Sequence, residues 1–115
     1  MAQYIISGSY TSAAMKGLIA HPSDREKATA DLMAAAGARL ESYFLTTGEN
    51  DFIMRVTTDN IVNLLSVMLV AGGSGAVTGL KTVQCFTTGE FMEAQKAAGA
   101  IANAPISTPS LPLSG

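Results

Sequence analysis

Residues 39–58 read RLESYFLTTGENDFIMRVTT, and the way this stretch folds constrains the rest of the chain. In its second half Phe52, Met54 and Val56 alternate with Asp51, Ile53, Arg55 and Thr57, the period of two expected of a half-buried strand. Arg39 to Thr47 alternates as well, and Gly48-Glu49-Asn50 between the two runs supplies tight-turn residues. The spacing predicts a β-hairpin with arms Arg39–Thr47 and Asp51–Thr58. The tetrapeptide Thr46-Thr47-Gly48-Glu49 also matches the T-x-x-E pattern of a helix start, and it recurs as Thr87-Thr88-Gly89-Glu90. The residues after each copy separate the two. Asn50-Asp51 turns the chain back into a strand, whereas FMEAQKAAG after the second copy is helical.

Working outward from the hairpin, Gln3 to Tyr10 reads as a first strand. Thr11 is placed to cap a helix carrying Ala14, Leu18 and Ile19, which must end before His21-Pro22. Ser23-Asp24-Arg25-Glu26 fits a capping box, the next helix has Ala28, Leu32 and Ala36 on one face, and Gly37 suits a left-handed stop. After the hairpin, Asp59 is the predicted cap of a helix with Ile61, Leu64, Leu65 and Met68 at helical spacing. That helix stops at Gly72-Gly73-Ser74-Gly75. Ala76 to Phe86 is a fourth strand and Glu90 to Ala98 a closing helix. Residues 100–115, rich in Pro and Ser and without charge, read as an extended tail after a single domain over 1–99.

Strands alternating with helices and yet including a hairpin give an α+β, ferredoxin-like βαββαβ fold. It has a four-stranded antiparallel sheet, helices on one face, an extra C-terminal helix and the tail. The ends of the second and fourth strands are equivalent places in such a fold, and each carries TTGE. The uncovered face holds Ile53 and Arg55 and, depending on register, members of the sets Tyr43/Leu45 and Val83/Cys85 with Glu41.

With 115 residues there is room for one core. Hydrophobic residues make up 48% of the chain and charged residues only 14%, well below the usual quarter. The longest apolar stretch, Ile61 to Ala71, is interrupted by Asn63 and Ser66 and falls far short of the roughly 20 residues of a spanning helix. The missing charge therefore points to self-association, as a homodimer or larger assembly, and to no membrane partner. The N-terminus does not resemble a signal peptide, so a cytoplasmic location is expected. A net charge of -2 offers nucleic acid no electrostatic footprint. Cys85 is the only cysteine and is expected to pack, with no disulfide, metal site or cofactor implied.

Several of these residues together resemble the GYD-domain family: Tyr4-Ile5, Tyr10-Thr11, Pro22-x-x-Arg25, Gly37, Tyr43, Gly48-Glu49-Asn50-Asp51 and Phe86-Thr87-x-x-Glu90-Phe91. The resemblance spans roughly residues 4 to 95. At the signature Gly-x-Tyr-Asp, Asn50 stands in place of the tyrosine, which removes any role of that ring. The resemblance implies a ferredoxin-like fold of the dimeric α/β-barrel kind in a family largely of unknown function. The hairpin is also similar to that of ligand-sensing domains attached to leucine-responsive transcription regulators.

Four residues are candidates for ligand binding: Arg55, Tyr43, Tyr10 and Arg25. A guanidinium at Arg55 can grip a carboxylate or pair with Glu41 or Asp51 across strands, and Arg25 can hold an anion. His21, the only histidine, and Tyr10 are the candidate catalytic groups. Gly72-Gly73-Ser74-Gly75 follows a helix and precedes a strand, the reverse of a phosphate loop. Three functions remain open. One is a homo-oligomer binding a small apolar or aromatic ligand between facing sheets, with Arg55, Tyr43 and Tyr10 as polar contacts. By fold analogy, the second is a cofactor-independent monooxygenase or isomerase of small aromatic compounds. The third is a structural subunit without ligand.

Overall fold

Nine residues, Ala2–Tyr10, form the central strand β1. They are followed by α1 (Ser12–Ala20), α2 (Arg25–Ala35), β2 (Arg39–Leu45), β3 (Phe52–Thr58), α3 (Ile61–Gly73), β4 (Val77–Cys85) and α4 (Thr88–Ala102). The computed structural model describes residues 1–104, and the element order is the one the sequence predicts. The strands form one antiparallel sheet in the order β2-β3-β1-β4, the ferredoxin-like arrangement. The chain divides into two compact units, Met1–Cys85 and the chain from Phe86 onward.

The core of the first unit lies where α2 and α3 cover one face of the sheet. Tyr4 and Ile6 of β1 and Phe52, Met54 and Val56 of β3 meet Met33 of α2 and Leu64 and Val67 of α3, all buried. The alternation in β3 thus selects the covered face, and each large side chain buried there contributes about 1.5–3 kcal/mol. On the uncovered face β1 pairs Ile5 with Arg55 and Ser7 with Ile53 on one side, and Ile5 with Val83 and Gln3 with Cys85 on the other.

Both edge strands carry one extra residue. In β2 the pairing passes from Leu40↔Val56 to Ser42↔Arg55, leaving Glu41 as the inserted residue. In β4 it passes from Ser7↔Lys81 to Ser9↔Thr78, with Gly79 in the left-handed region at φ 63. A bulge reverses the parity of every side chain beyond it. Strict alternation would set Tyr43 beside Glu41. The bulge instead pairs Tyr43 with Met54 and Phe44 with Ile53, so Tyr43 joins the helix-covered side and Phe44 the open face.

The helix starts are shifted by a residue from two of the predicted ones. Asp24, not Ser23, caps α2, its carboxylate accepting from the backbone N–H groups of Glu26 and Lys27. Asn60, not Asp59, caps α3 by accepting from Val62 N–H. Short polar side chains compete for the cap position, and the one whose backbone is extended immediately before the first turn wins. Thr11 caps α1 as predicted, and Gly37 lies at φ 77 directly after α2.

The second unit contains α4. Thr87 Oγ1 accepts from Glu90 N at 3.0 Å and Glu90 Oε1 accepts from Thr87 N at 2.7 Å, a complete capping box. At the first TTGE copy Thr46 Oγ1 instead donates to Asn50 O at 2.6 Å, closing the hairpin loop. The closing helix is longer than the predicted 90–98. It ends at Ala102 with Asn103 as its C-cap, so residues 100–102 are helical where a tail was expected. Positions 105–115 of the expected tail lie outside the described residues.

Gly8 holds β1 close to its neighbours. A Cβ there would come within 2.8 Å of Phe52 Cζ and 2.9 Å of Leu80 Cδ2, closer than real contacts allow. Gly8→Ala is therefore expected to cost about 1–3 kcal/mol through overpacking. Urea unfolding would check it, a change below about 0.5 kcal/mol meaning that the two side chains rotate away freely.

Candidate functional site

Three aromatic rings stand together at one end of the helix-covered face. Phe52 lies between Tyr10, tilted at 47° with 5.3 Å between centroids, and Tyr43, stacked at 13° and 6.0 Å. The two phenol oxygens are hydrogen-bonded at 2.5 Å. Tyr10 arrives from the end of β1 and Tyr43 from β2 beyond the bulge, and Asp51 fixes where they meet. Its carboxylate Oδ2 accepts from Tyr10 N at 2.9 Å, its backbone N–H donates to Gly8 O, and its carbonyl accepts from Thr46 N. The hairpin end is thereby tied to the end of β1.

The rings border a cleft of about 180 Å³ between the sheet and helices α2 and α3. Its apolar wall includes Leu32 and Met33 from α2, Val67 and Ala71 from α3, and Leu80 from β4. Its polar side chains among the described residues are Tyr10, Tyr43, Arg25, Thr29 and Ser74, with no carboxylate among them. Two of the five are engaged with backbone groups: Thr29 Oγ1 donates to Arg25 O at 2.7 Å, and Ser74 Oγ donates to Ala71 O and accepts from Ala76 N. Thr11 Oγ1 donates to Gly75 O and Thr11 N to Ala76 O, which fastens the segment after α3 beside Tyr10.

Burial pushes the Tyr43 phenol well above the usual tyrosine range. The hydrogen bond and the nearby charge of Tyr10 act in the same direction, and Arg25 and Thr29 act against them. Tyr43 therefore stands as a neutral hydroxyl, a hydrogen-bond donor and acceptor rather than a base.

The structure brings together Tyr10, Tyr43 and Arg25 of the sequence candidates and places Arg55 elsewhere. Arg55 lies on the open face, where its Nη1 donates to Gln3 Oε1 at 3.1 Å. The expected pairing with Glu41 or Asp51 is absent because both carboxylates are otherwise engaged: Glu41 accepts from Thr57 Oγ1 at 2.9 Å and pairs with Arg39 at 3.4 Å, and Asp51 holds Tyr10. His21 is exposed, forms the C-cap of α1 through its backbone and does not line the cleft. Cys85 is half-buried on the open face. Sequence reasoning did not single out Phe52, Ala71 or Leu32 as site residues, because at helical or strand spacing a cleft wall and a core have the same pattern. Among the described residues no group of three His, Cys, Asp or Glu side chains could hold a metal ion, and no helix is long and apolar enough to cross a membrane.

A four-stranded antiparallel sheet roofed by two helices over a ring-lined cleft defines a ferredoxin-like α+β domain. The GYD domain profile matches residues 4–95, and the chain belongs to the GYD domain family. No curated protein matches the sequence. Solved structures are similar to this chain at low identity. MtbAldR is 17% identical with a TM-score of 0.52, over 75% of this chain and 52% of its own. TTHA0845 from Thermus thermophilus is 16% identical with a TM-score of 0.49, over 76% of this chain and 95% of its own. The transcriptional regulator NMB0573 of Neisseria meningitidis, solved as a complex with L-Met, is 16% identical with a TM-score of 0.46, over 98% of this chain and 57% of its own. This chain thus spans about half the length of each of the AldR and NMB0573 chains.

The raised Tyr43 pKa makes stability depend on pH in one direction. The folded chain holds this proton more tightly than the unfolded chain, so the contribution is complete below pH about 10 and is lost as pH rises beyond it. Denaturant midpoints measured from pH about 8 to pH about 11 should fall at the alkaline end, and Tyr43→Phe should reduce that fall. An equal slope in both proteins would remove Tyr43 as its source.

Proposed function

We propose that this GYD domain is a small-molecule-binding protein that takes an apolar or aromatic ligand into the cleft between its sheet and helices α2 and α3. The observation that carries the reading is the cleft itself, apolar around its wall with the polar side chains that keep hydrogen-bonding capacity, Tyr10, Tyr43 and Arg25, among its lining. Its volume decides the size of the guest. An apolar cavity of about 150 Å³ accepts benzene, whereas drug-sized ligands occupy about 300 Å³ or more. About 180 Å³ therefore fits one six-membered ring with a short substituent. The expected ligand position between facing sheets changes accordingly, because the Glu41 bulge turns Tyr43 to the helix side.

Self-association belongs to the same proposal and uses the other face of the sheet. Phe44 is 63% exposed, Val83 59% and Ile53 38%, and with half-buried Ile5 they make that face partly apolar. Packing it against a second copy would remove this surface from water, two sheets meeting about 10 Å apart. Proton-transfer chemistry is the alternative: of its two candidate groups His21 does not line the cleft and Tyr10 does.

Filling the cleft tests the binding reading. Ala71→Leu adds bulk to the wall from a helical position that leucine tolerates, so the fold should persist. In heteronuclear NMR titrations with benzyl alcohol, the wild-type protein should shift the amide signals of cleft residues saturably, and the variant should bind at least about tenfold more weakly. Equal binding by both proteins, or shifts confined to other residues, would place the ligand elsewhere. For assembly, Phe44→Asp should move the species seen by sedimentation equilibrium toward the 11.8 kDa chain. A wild-type protein that sediments only at that mass would overturn self-association.

A further inference from the structure

We infer that the cleft selects a ring bearing a carboxylate, a single-ring aromatic monoanion whose charged end meets Arg25 and the Tyr10–Tyr43 hydroxyl pair. This rests on the reading of the cleft as a ligand site and adds the chemical class of the ligand. The cleft's polar side chains divide into those already satisfied and those with hydrogen-bonding capacity left over. Thr29 and Ser74 are engaged with backbone groups. The two phenols share one proton in their mutual bond, which leaves the second hydroxyl proton to donate outward. Arg25 begins α2, and its one hydrogen bond among the described side chains is a long one, from Nη1 to Ser23 Oγ at 3.4 Å. No carboxylate lies within 4 Å of its guanidinium among the described residues.

The cleft's side chains therefore offer donors and a positive charge, and no anion of their own. A ligand that supplies only an apolar surface leaves these donors unanswered, while a carboxylate answers both kinds, with two oxygens matched to the guanidinium fork. Two carboxylates flank the outer side of Arg25, where Asp24 and Glu26 border a solvent-open depression shared with Tyr43. Asp24 is committed to the first backbone N–H groups of α2, and Glu26 is exposed. Their charges are screened by water, while the guest's charge would sit inside the apolar cleft, where attraction to Arg25 is stronger. The volume of about 180 Å³ completes the class by favouring one ring over two.

Titrations followed by NMR with benzoate, benzamide and 2-naphthoate test this on the full chain. Benzoate should bind at the cleft at least about tenfold more tightly than its neutral isostere benzamide, and 2-naphthoate should bind more weakly than benzoate. Arg25→Gln should bring benzoate down to about the benzamide level, and Arg25→Lys, which keeps the charge but loses the fork, should fall between. If benzamide equals benzoate in the wild-type protein, or Arg25→Gln leaves benzoate unchanged, the anion preference is wrong and the cleft remains a site for neutral rings. If 2-naphthoate binds as tightly as benzoate at the same residues, the single-ring limit is wrong. If neither benzoate nor benzamide shifts cleft residues, the ligand reading falls and this inference with it.

Discussion

The extra residue at Glu41 determines the geometry of everything on β2 beyond it. Held by Thr57 Oγ1 and by Arg39, Glu41 stays on the open face together with its neighbour Ser42, which pairs with Arg55. Strand parity then carries Phe44 outward and Tyr43 inward. One inserted residue thus supplies an aromatic side chain to each side of the sheet. Without it Tyr43 would lie across the sheet from Tyr10, and the hydroxyl pair at the cleft could not form. The phenol pair at the cleft and the exposed ring of Phe44 result from the same local event.

The fold was legible because its signals are redundant. The alternation of β3, the turn at Gly48-Glu49-Asn50 and the helical spacing in α3 all agree, and β3 is buried through the very residues its pattern selects: Phe52, Met54 and Val56. The position of Tyr43 was not legible, since the β2 bulge involves no residue at positive φ and no glycine to mark it. The matching bulge in β4 does have such a mark in Gly79. Whether Arg55 pairs with Glu41 or Asp51 could not be read from the sequence for a related reason. Both carboxylates near it in the hairpin satisfy other donors, and a sequence shows which charges are close but not which are already spent. The shifted caps at Asp24 and Asn60 show the same limit, because neighbouring short polar residues have nearly equal capping ability.

The cleft also shows how a small domain can combine order with accessibility. The covered face is filled by Ile6, Val56 and Leu64 near its middle, and the gap opens toward the end where β1, β2 and the start of β4 meet. That end is tied by hydrogen bonds to the main chain, from Asp51 to Gly8 and Tyr10 on one side and from Thr11 to Gly75 and Ala76 on the other. Main-chain ties can hold two phenols in register while leaving the space beside them unfilled. Closing the same gap with larger side chains would improve packing and remove the cavity.

Both bulges lie on the outermost strands, β2 and β4, where the sheet presents unpaired backbone groups. A regular exposed edge is a template for another strand, and natural sheets avoid such growth with bulges and with charges near the edge. Here each outer ladder is broken by an inserted residue, at Glu41 and at Gly79, and each outer strand carries a basic side chain, Arg39 or Lys81. A chain with so little surface charge is otherwise at risk of fibrous aggregation through its edges. The irregular edges disfavour open-ended strand addition, leaving the two outer strands poor templates for a further strand.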